Sequence, residues 1–313
     1  MTETLDRRVP LATVPNMRTL GGLPVAGGVV ADGLIFRSAT LAAVAPADGE
    51  ALLGLGIRRV VDFRTEGERR SAPDVLPGRV SGVALDVMGD HARDLSASLA
   101  HLGLPGTGSG GAAGAGDGGV VDAGGGADAG ADAGSGAGSD AAVSREQRDL
   151  IRQQVSEVLG EGRGVKLLEE SNRLMVSSES ALAAYREFFM LLSEPGDYAP
   201  TLFHCTTGKD RTGWAAAAFL LLLGADEHTA MADYLQTNAD ILPMIEPMLE
   251  RAERGGVDPA LLKPVLTVHE SMLQAAFDEM RARFGTIEGY FTEGLGLDAA
   301  RLETLRRRFT TAG

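Results

Sequence analysis

The sequence predicts an α/β fold in which a small, mostly parallel central sheet is flanked by helices. The run from Ile57 to Phe63 is β-branched and apolar with few breaks, as expected of a strand covered on both faces. Thr201 to Phe203 has the character of a second strand end. Ala215 to Leu223 is apolar on every side, as in a central buried helix. These segments predict one domain that spans residues 1–313.

The N-terminal part is predicted to supply the first strands and a short helix. Asn16 to Gly22 opens the ordered part, a turn covers Ala26 to Asp32, and Gly33 to Ser38 forms a short strand. Pro46 suits the start of a helix over Ala47 to Gly54, because the N–H that proline lacks has no helical partner there.

A further strand, over Val83 to Val87, precedes an abrupt change of composition. Residues 102–142 consist mainly of Gly, Ala, Ser and Asp and contain no lysine or arginine. Such a segment buries too little apolar surface to offset its chain entropy, so we predict that it is disordered. The strands on either side of it must share one sheet, so residues 102–142 are an insertion within a single domain.

The chain after Val143 is predicted to be mainly helical. Ser144 offers an N-cap, and an apolar stripe from Leu150 to Leu159 gives the first helix one buried face. Further helical patterns cover residues 165–175, 177–192, 226–237, 246–254, 265–284 and 298–309.

Composition limits the partners of this 313-residue chain, of which 44% is apolar. A formal net charge of −14 argues against nucleic acid or an anionic membrane as a partner attracted by bulk charge. An anionic substrate therefore requires a local positive cluster, for which Lys209, Arg211 and Arg18 are the candidates. The oligomeric state leaves no signal in the sequence.

Compartment signals are few. A single cysteine excludes an intrachain disulfide framework and fits a reducing compartment. The N-terminus has no apolar signal-peptide core, and the longest apolar run, Trp214 to Leu223, is too short for an integral membrane segment. We expect a cytoplasmic protein, with export without a signal left open.

The candidate catalytic residues lie in one segment, residues 202–213, which reads L-F-H-C-T-T-G-K-D-R-T-G. A tight loop between a strand and a helix N-terminus can turn its N–H groups toward one phosphate-sized dianion. The same field would favour the nucleophilic thiolate of Cys205, and Arg211 can bind two phosphate oxygens at once. Gly208 permits the bend, and Thr212 places a hydroxyl near the thiolate. The predicted phosphate-binding residues are Thr206, Thr207, Gly208, Lys209, Asp210 and Arg211.

The residues of this loop fit phosphoryl transfer through a phosphocysteine formed on Cys205. No metal or other cofactor is needed, because Arg211 and the loop amides can neutralise the charge. A Walker-type loop is excluded, since it requires glycine at Phe203 and Ser or Thr at Asp210. His204 is expected to face away from Cys205 and to orient the loop through a hydrogen bond.

The motif H-C-x-x-G-K-D-R-T-G resembles the C-x5-R-[S/T] signature of the cysteine-dependent protein tyrosine phosphatases. It is most similar to the bacterial, actinobacterial-type members called PtpB-like. Three other stretches match the same group: N-M-R-T-L-G-G with G-L-I-F-R-S, D-F-R-T-x-x-E ending at Glu68, and A-D-Y-L-x-x-N ending at Asn238.

The resemblance implies hydrolysis of phosphotyrosine proteins and of phosphoinositides. It also implies that helices after Val143 act as a lid, although an ordinary amphipathic pair packed on the sheet fits equally well.

The resemblance further implies an aspartate, upstream of the nucleophile, that protonates the leaving oxygen. Asp90 lies just past a predicted strand end, where loops border an α/β site, and is the first candidate. Asp210, inside the loop, and Asp86 are alternatives. Each of these aspartates could also be a solvated surface carboxylate.

Substrate choice depends on Lys209, which could bind a second phosphate or face solvent. Arg18 and Arg37 could bind substrate, but pairing with an acid such as Asp62 is the stronger expectation. Two other classes of function stay open. A rhodanese-like sulfurtransferase also uses one loop cysteine, and a non-catalytic phosphobinding module would use the same loop without turnover.

Overall fold

A computed structural model describes residues 7–89, 145–196 and 198–312. The first part contains the strands β1 (Arg18–Thr19), β2 (Pro24–Val25), β3 (Gly28–Val30), β4 (Ile35–Ser38), β5 (Arg59–Asp62) and β6 (Ser81–Ala84), with helices α1 (Pro46–Gly54) and α2 (Glu66–Ser71). The remainder contains β7 (Thr201–His204), β8 (Thr310–Thr311) and the helices α3 (Arg145–Leu159), α4 (Arg163–Ser177), α5 (Glu179–Leu192), α6 (Asp210–Leu222), α7 (Glu227–Arg254), α8 (Pro259–Leu266), α9 (Glu270–Phe284), α10 (Ile287–Gly289) and α11 (Ala299–Phe309), with a π-helical turn over Tyr290–Gly294.

The central sheet has the strand order β1-β4-β7-β5-β6. Strands β4, β7, β5 and β6 are parallel, and only the edge strand β1 is antiparallel to its neighbour. The predicted α/β class with a mostly parallel sheet is therefore confirmed. A second, small antiparallel sheet joins β2, β3 and β8, which brings the two ends of the described chain together.

The central strands bury both faces, as the run at Ile57 to Phe63 predicted. Val60 and Leu202 pack with α1 in a smaller apolar cluster on one face. Val61 and Phe203 point to the other face and join the main core. There the rings of Phe188 and Phe203 lie with centroids 5.1 Å apart. Strand side chains alternate between faces, so adjacent residues of one strand enter different clusters.

The helical prediction is correct in kind but differs in boundaries. Residues predicted as separate helices at 226–237 and 246–254 form the single helix α7, which continues through Pro243 and Pro247. The predicted helix at 265–284 is instead divided between α8 and α9. In the part of the chain that the structure covers, no helix has the length and apolar character needed to span a bilayer.

The Gly/Ala/Asp-rich stretch at 102–142 lies outside the described residues. Strands β5 and β6 precede it, β7 follows it, and the strands share one sheet. The assignment of residues 1–313 to a single domain stays a prediction that this pairing supports.

Candidate active site

Strand β7 delivers the cysteine loop to the carboxyl edge of the sheet. All residues of the strand are buried, and it lies between β4 and β5 in parallel register. Cys205 follows directly and is 2% exposed. Lys209 is the N-cap residue of α6, so the loop ends at a helix N-terminus, where unpaired N–H groups carry partial positive charge.

The carbonyl groups of the loop are held from outside. The Cys205 carbonyl accepts a hydrogen bond from Nδ1 of His204 at 3.0 Å, and the Thr206 carbonyl accepts one from the Thr40 N–H at 2.9 Å. Asn16 Nδ2 donates to the carbonyls of Thr207 and Gly208, at 3.0 and 3.1 Å. Each carbonyl between Cys205 and Lys209 is therefore fixed by a donor from the surrounding scaffold.

The N–H groups of the same peptides point the opposite way. In a trans peptide the C=O of one residue and the N–H of the next are antiparallel, and the described chain has no cis peptide. The N–H groups of residues 206–209 therefore point away from the donors that hold the carbonyls. Among the described residues none of these N–H groups has a partner. Gly208 makes the turn possible with φ of +69°, and a Cβ there would lie 2.3 Å from the Ser38 carbonyl oxygen.

Arg211 is held by Glu68 of α2. The terminal nitrogens of Arg211 donate to the two carboxylate oxygens of Glu68 at 2.7 and 2.8 Å, and the Thr206 hydroxyl donates to the same carboxylate. Burial alone would raise the pKa of Glu68, but the charge and hydrogen bonds of Arg211 lower it to about 2. Burial opposes the charge of Arg211 as well, yet Glu68 raises the pKa of that guanidinium.

Glu68 was not predicted as a site residue, although its motif was recognised. It belongs to a capping box with Thr65, in which the Glu68 carboxylate also accepts the Thr65 N–H. A capping glutamate usually has a local role. Nothing in the sequence indicates that its second role lies across the site, on an arginine 143 positions away.

His204 lies beneath the loop in the structural role that the sequence predicted. It is fully buried, and Nε2 lies 3.0 Å from Oδ2 of Asp74. Burial would lower the pKa of His204, but the hydrogen bond with Asp74 and the charges of Asp62 and Asp74 raise it above its usual value. A carbonyl and a carboxylate oxygen both only accept, so both ring nitrogens carry a proton.

Asp62, Asp74 and His204 bring potential metal-ligand atoms within 4.8 Å of one another. Arg64 donates to both carboxylates, at 2.8 Å to Asp62 Oδ2 and 2.7 Å to Asp74 Oδ1. These carboxylates are thus engaged by a guanidinium and an imidazole, and the group is an ion-pair network beneath the loop.

The candidate acids have different surroundings. Asp90 lies outside the described residues. Asp86 Oδ1 accepts the N–H groups of Met88 and Gly89 at 3.0 and 2.9 Å, a local turn bond. Asp210 has one carboxylate oxygen, Oδ1, that is buried without a partner among the described residues, at the first position of α6.

Thr212 lies one residue beyond Arg211 and is fully buried. In the part of the chain that the structure covers, its hydroxyl also has no partner. Its role at the phosphate stays a prediction.

Lys209 does not face solvent, so that alternative is wrong. It is 2% exposed, and its ammonium donates to the carbonyls of Val265 and Thr267 at 2.7 and 3.3 Å. Oδ2 of Asp210 lies 3.5 Å from the same nitrogen. Lys209 thus ties the loop to the last turn of α8 and to its C-cap residue, and a second phosphate would have to displace these partners.

Arg18 and Arg37 are fully buried and form ion pairs inside the protein, which is the structural role that the sequence favoured over substrate binding. Their partner is Asp233 of α7 and not the expected Asp62. The reason is register. Arg37 aligns with Phe203 and Val61, whereas Asp62 aligns with His204 one position further and so faces the other side of the sheet. Arg18 is therefore excluded from the exposed cluster that would attract an anionic substrate.

A parallel sheet that presents a cysteine loop at a helix N-terminus, with an arginine six residues further on, defines the cysteine-dependent phosphatase class. The chain matches the tyrosine phosphatase family over residues 9–311, and it belongs to that family as a protein tyrosine phosphatase. It is 29% identical over 292 residues to a protein of Cupriavidus necator that is provisionally named a tyrosine-protein phosphatase, covering 93% of this chain and 85% of that protein. It is also 29% identical over 119 residues to the triple specificity protein phosphatase PtpB of Mycobacterium tuberculosis, covering 34% of this chain and 42% of that protein.

Proposed function

We propose that the protein hydrolyses phosphotyrosine in proteins through a phosphocysteine formed on Cys205. The observation that carries this proposal is the set of unpaired N–H groups at residues 206–209, next to the cysteine and at the start of α6. A phosphoryl group with three equatorial oxygens fits such a set of donors.

In the proposed reaction the Cys205 thiolate attacks phosphorus, and the bond from phosphorus to the phenolic oxygen breaks. An acid gives its proton to that oxygen, so tyrosine leaves neutral. Water then gives a proton back to the acid as it attacks phosphorus, the S–P bond breaks, and inorganic phosphate leaves, with Thr212 assisting the return of the thiolate. Arg211 and the loop amides hold the equatorial oxygens in both steps.

The contact between Arg211 and Glu68 is compatible with phosphate binding. Each terminal nitrogen of a guanidinium carries two hydrogens, and the bonds to Glu68 use one hydrogen on each nitrogen. The second hydrogens make only long contacts, from Nη1 to the Phe63 carbonyl and from Nη2 to the Thr206 hydroxyl, both at 3.4 Å, and phosphate oxygens would replace these contacts. In this proposal Glu68 fixes the plane of the guanidinium without having to leave.

Among the candidate acids we propose Asp210, because its buried Oδ1 has no partner within the described chain. Oδ1 of Asp86 already accepts hydrogen bonds from two N–H groups of its own turn. Asp90 is the alternative that the leaving-group experiment below must test.

We also propose broad specificity that includes phosphoinositides. The name of the mycobacterial relative, triple specificity protein phosphatase, supports broad specificity. Lys209 supports a second phosphate only if its ammonium exchanges the carbonyls of Val265 and Thr267 for that phosphate. A cytoplasmic location and the absence of nucleic-acid partners remain predictions from composition.

The test is a 4-nitrophenyl phosphate assay of the wild type and Cys205→Ser across pH. We expect turnover in the wild type and a loss of at least about 10³-fold in Cys205→Ser, because a serine hydroxyl is a far weaker nucleophile than a thiolate. Full turnover in Cys205→Ser would contradict the phosphocysteine. Thiosulfate turnover above phosphate-ester turnover would favour the sulfurtransferase, and tight phosphate binding without turnover would favour the binding module.

A further inference from the structure

Two side chains of the N-terminal segment support the far end of the loop. Asn16, just before β1, donates from Nδ2 to the carbonyls of Thr207 and Gly208. Arg37, in β4, donates from Nη2 to the Gly208 carbonyl at 2.7 Å. Both residues come about 170 positions or more before the loop, so this support is purely tertiary.

The position of the Arg37 guanidinium is fixed by an ion pair with Asp233. Its Nη1 donates to Oδ2 of Asp233 at 2.6 Å, and Arg18 and Arg7 donate to Oδ1 of Asp233 at 3.0 and 2.8 Å. Burial and the nearby charge of Arg18 lower the pKa of Arg37 to about 10, so it stays cationic near neutral pH. A cation is therefore held against the Gly208 carbonyl.

These contacts act on the peptides whose N–H groups belong to Gly208 and Lys209. If either peptide rotated, its carbonyl oxygen would replace its N–H on the side that an anion must occupy. An oxygen there repels an oxyanion, while an N–H attracts it. Gly208, with φ of +69°, lacks the steric restraint that a side chain would impose, so the orientation has to come from other residues.

We propose that Asn16 and Arg37 are positioning residues that hold the N–H groups of Gly208 and Lys209 toward the phosphate. This inference rests on the proposed phosphatase function and names the residues that keep its oxyanion site formed. The donors are aimed at the loop carbonyls and away from the ligand, so they act through the loop and do not touch substrate.

The conformation of Asn16 allows a clean variant. Its φ is +57°, in the left-handed region that glycine adopts at no cost. Asn16→Gly therefore removes the amide donor and keeps the backbone. Asn16→Asp keeps the shape and the oxygen that accepts from Arg18, but it turns a carboxylate oxygen toward the two loop carbonyls. Arg37→Met removes the cation while Arg18 and Arg7 still pair with Asp233.

The matched control is Thr13→Val. Thr13 donates its hydroxyl hydrogen to Asp48, and it lies three residues before Asn16 without a bond to the loop. Thr13→Val thus perturbs the same N-terminal segment while leaving the support of Gly208 intact.

The experiment measures tungstate binding by calorimetry in the Cys205→Ser background, so that turnover plays no part. We expect Asn16→Gly and Arg37→Met to weaken tungstate binding by roughly tenfold to hundredfold, and Asn16→Asp at least as much, as expected when an oxyanion donor is lost. Thr13→Val should bind tungstate as the parent does. Unchanged affinity in both Asn16 variants, or an equal loss in Thr13→Val, would overturn the proposal.

A second measurement serves where a variant is too unstable for calorimetry. It also distinguishes a failure of this inference from a failure of the proposed function. The chain has one cysteine, so alkylation reports on Cys205 alone. We expect inactivation by anionic iodoacetate, relative to neutral iodoacetamide, to fall about tenfold in Asn16→Gly, because only the anion uses the loop N–H groups. An unchanged ratio would overturn the inference even in an active phosphatase. A lowered ratio in a protein without turnover would refute only the proposed function.

Discussion

The guanidinium of Arg211 and the carboxylate of Glu68 form a two-pronged ion pair, with N–O distances of 2.7 and 2.8 Å, beside Thr206 of the cysteine loop. The pair is largely buried and includes the Thr206 hydroxyl. A bidentate contact of this kind fixes the plane of the guanidinium as well as its charge. The orientation of the Arg211 guanidinium is therefore set by Glu68.

Glu68→Gln should lower the free energy of unfolding by about 3 kcal/mol at pH 7, because Arg211 loses its buried counter-charge. It should also lower kcat/KM for 4-nitrophenyl phosphate by about tenfold, since the guanidinium plane is no longer fixed. Urea denaturation and steady-state kinetics measure the two effects. Glu66→Gln is the control, because Glu66 pairs with Arg70 on the surface. Equal effects of both substitutions would contradict this role for Glu68.

The ion pair between Glu68 and Arg211 predicts how the free energy of unfolding depends on pH. The pKa of Glu68 falls from its usual 4.5 to about 2 in the folded protein, so its contribution is fully present above pH 4.5. That contribution is lost as pH falls through the folded value. Between pH 5 and pH 2, the wild type should lose more unfolding free energy than Glu68→Gln, as measured by denaturation at each pH. Parallel curves would count against the assignment.

His204 should remain an imidazolium above pH 6.5, because Asp74 and Asp62 raise its pKa. A raised pKa means that the stabilising charge is fully present below pH 6.5 and is lost as pH rises through the folded value. NMR titration can measure this, with the His204 signal identified by its absence in His204→Gln. Asp74→Asn should move the midpoint to lower pH. The exposed His228 provides an internal control, and an unmoved His204 midpoint would exclude Asp74 as the cause.

Lys209→Ala should reduce phosphoinositide hydrolysis more than 4-nitrophenyl phosphate hydrolysis, because only the lipid offers a second phosphate. It should also lower the free energy of unfolding by about 2 kcal/mol, through the loss of the charged bonds to Val265 and Thr267. Lys166→Ala, at an exposed position of α4, is the control. Equal losses on both substrates would leave Lys209 with its structural role alone.

Asp210→Asn should lower kcat for phenyl phosphate by about 10²-fold, since phenolate leaves slowly without a proton. The loss should be smaller for 4-nitrophenyl phosphate, whose leaving group departs readily as an anion. Asp86→Asn should change neither value. If Asp90→Asn instead shows the larger loss on phenyl phosphate, Asp90 is the acid and Asp210 is not.

The sequence by itself determined the residue pattern of the loop and the class of the fold. The spacing from Cys205 to Arg211, the glycine between them and the apolar runs of β7 and α6 are local features. Each of them follows from neighbouring residues and the period of a strand or a helix. The family motifs at Asn16 and Glu68 could be recognised in the same way, but without their roles.

Only the tertiary structure decided which residues support that loop. Arg37 pairs with Asp233 because strand register directs Arg37 and Asp62 to opposite faces of the sheet. Glu68 meets Arg211, and Asn16 meets Gly208, across 143 and 192 positions. With 29 basic and 43 acidic residues the chain offers many possible ion pairs, and composition does not select among them. Packing of the sheet and helices makes that selection, because it alone determines which charges are buried together.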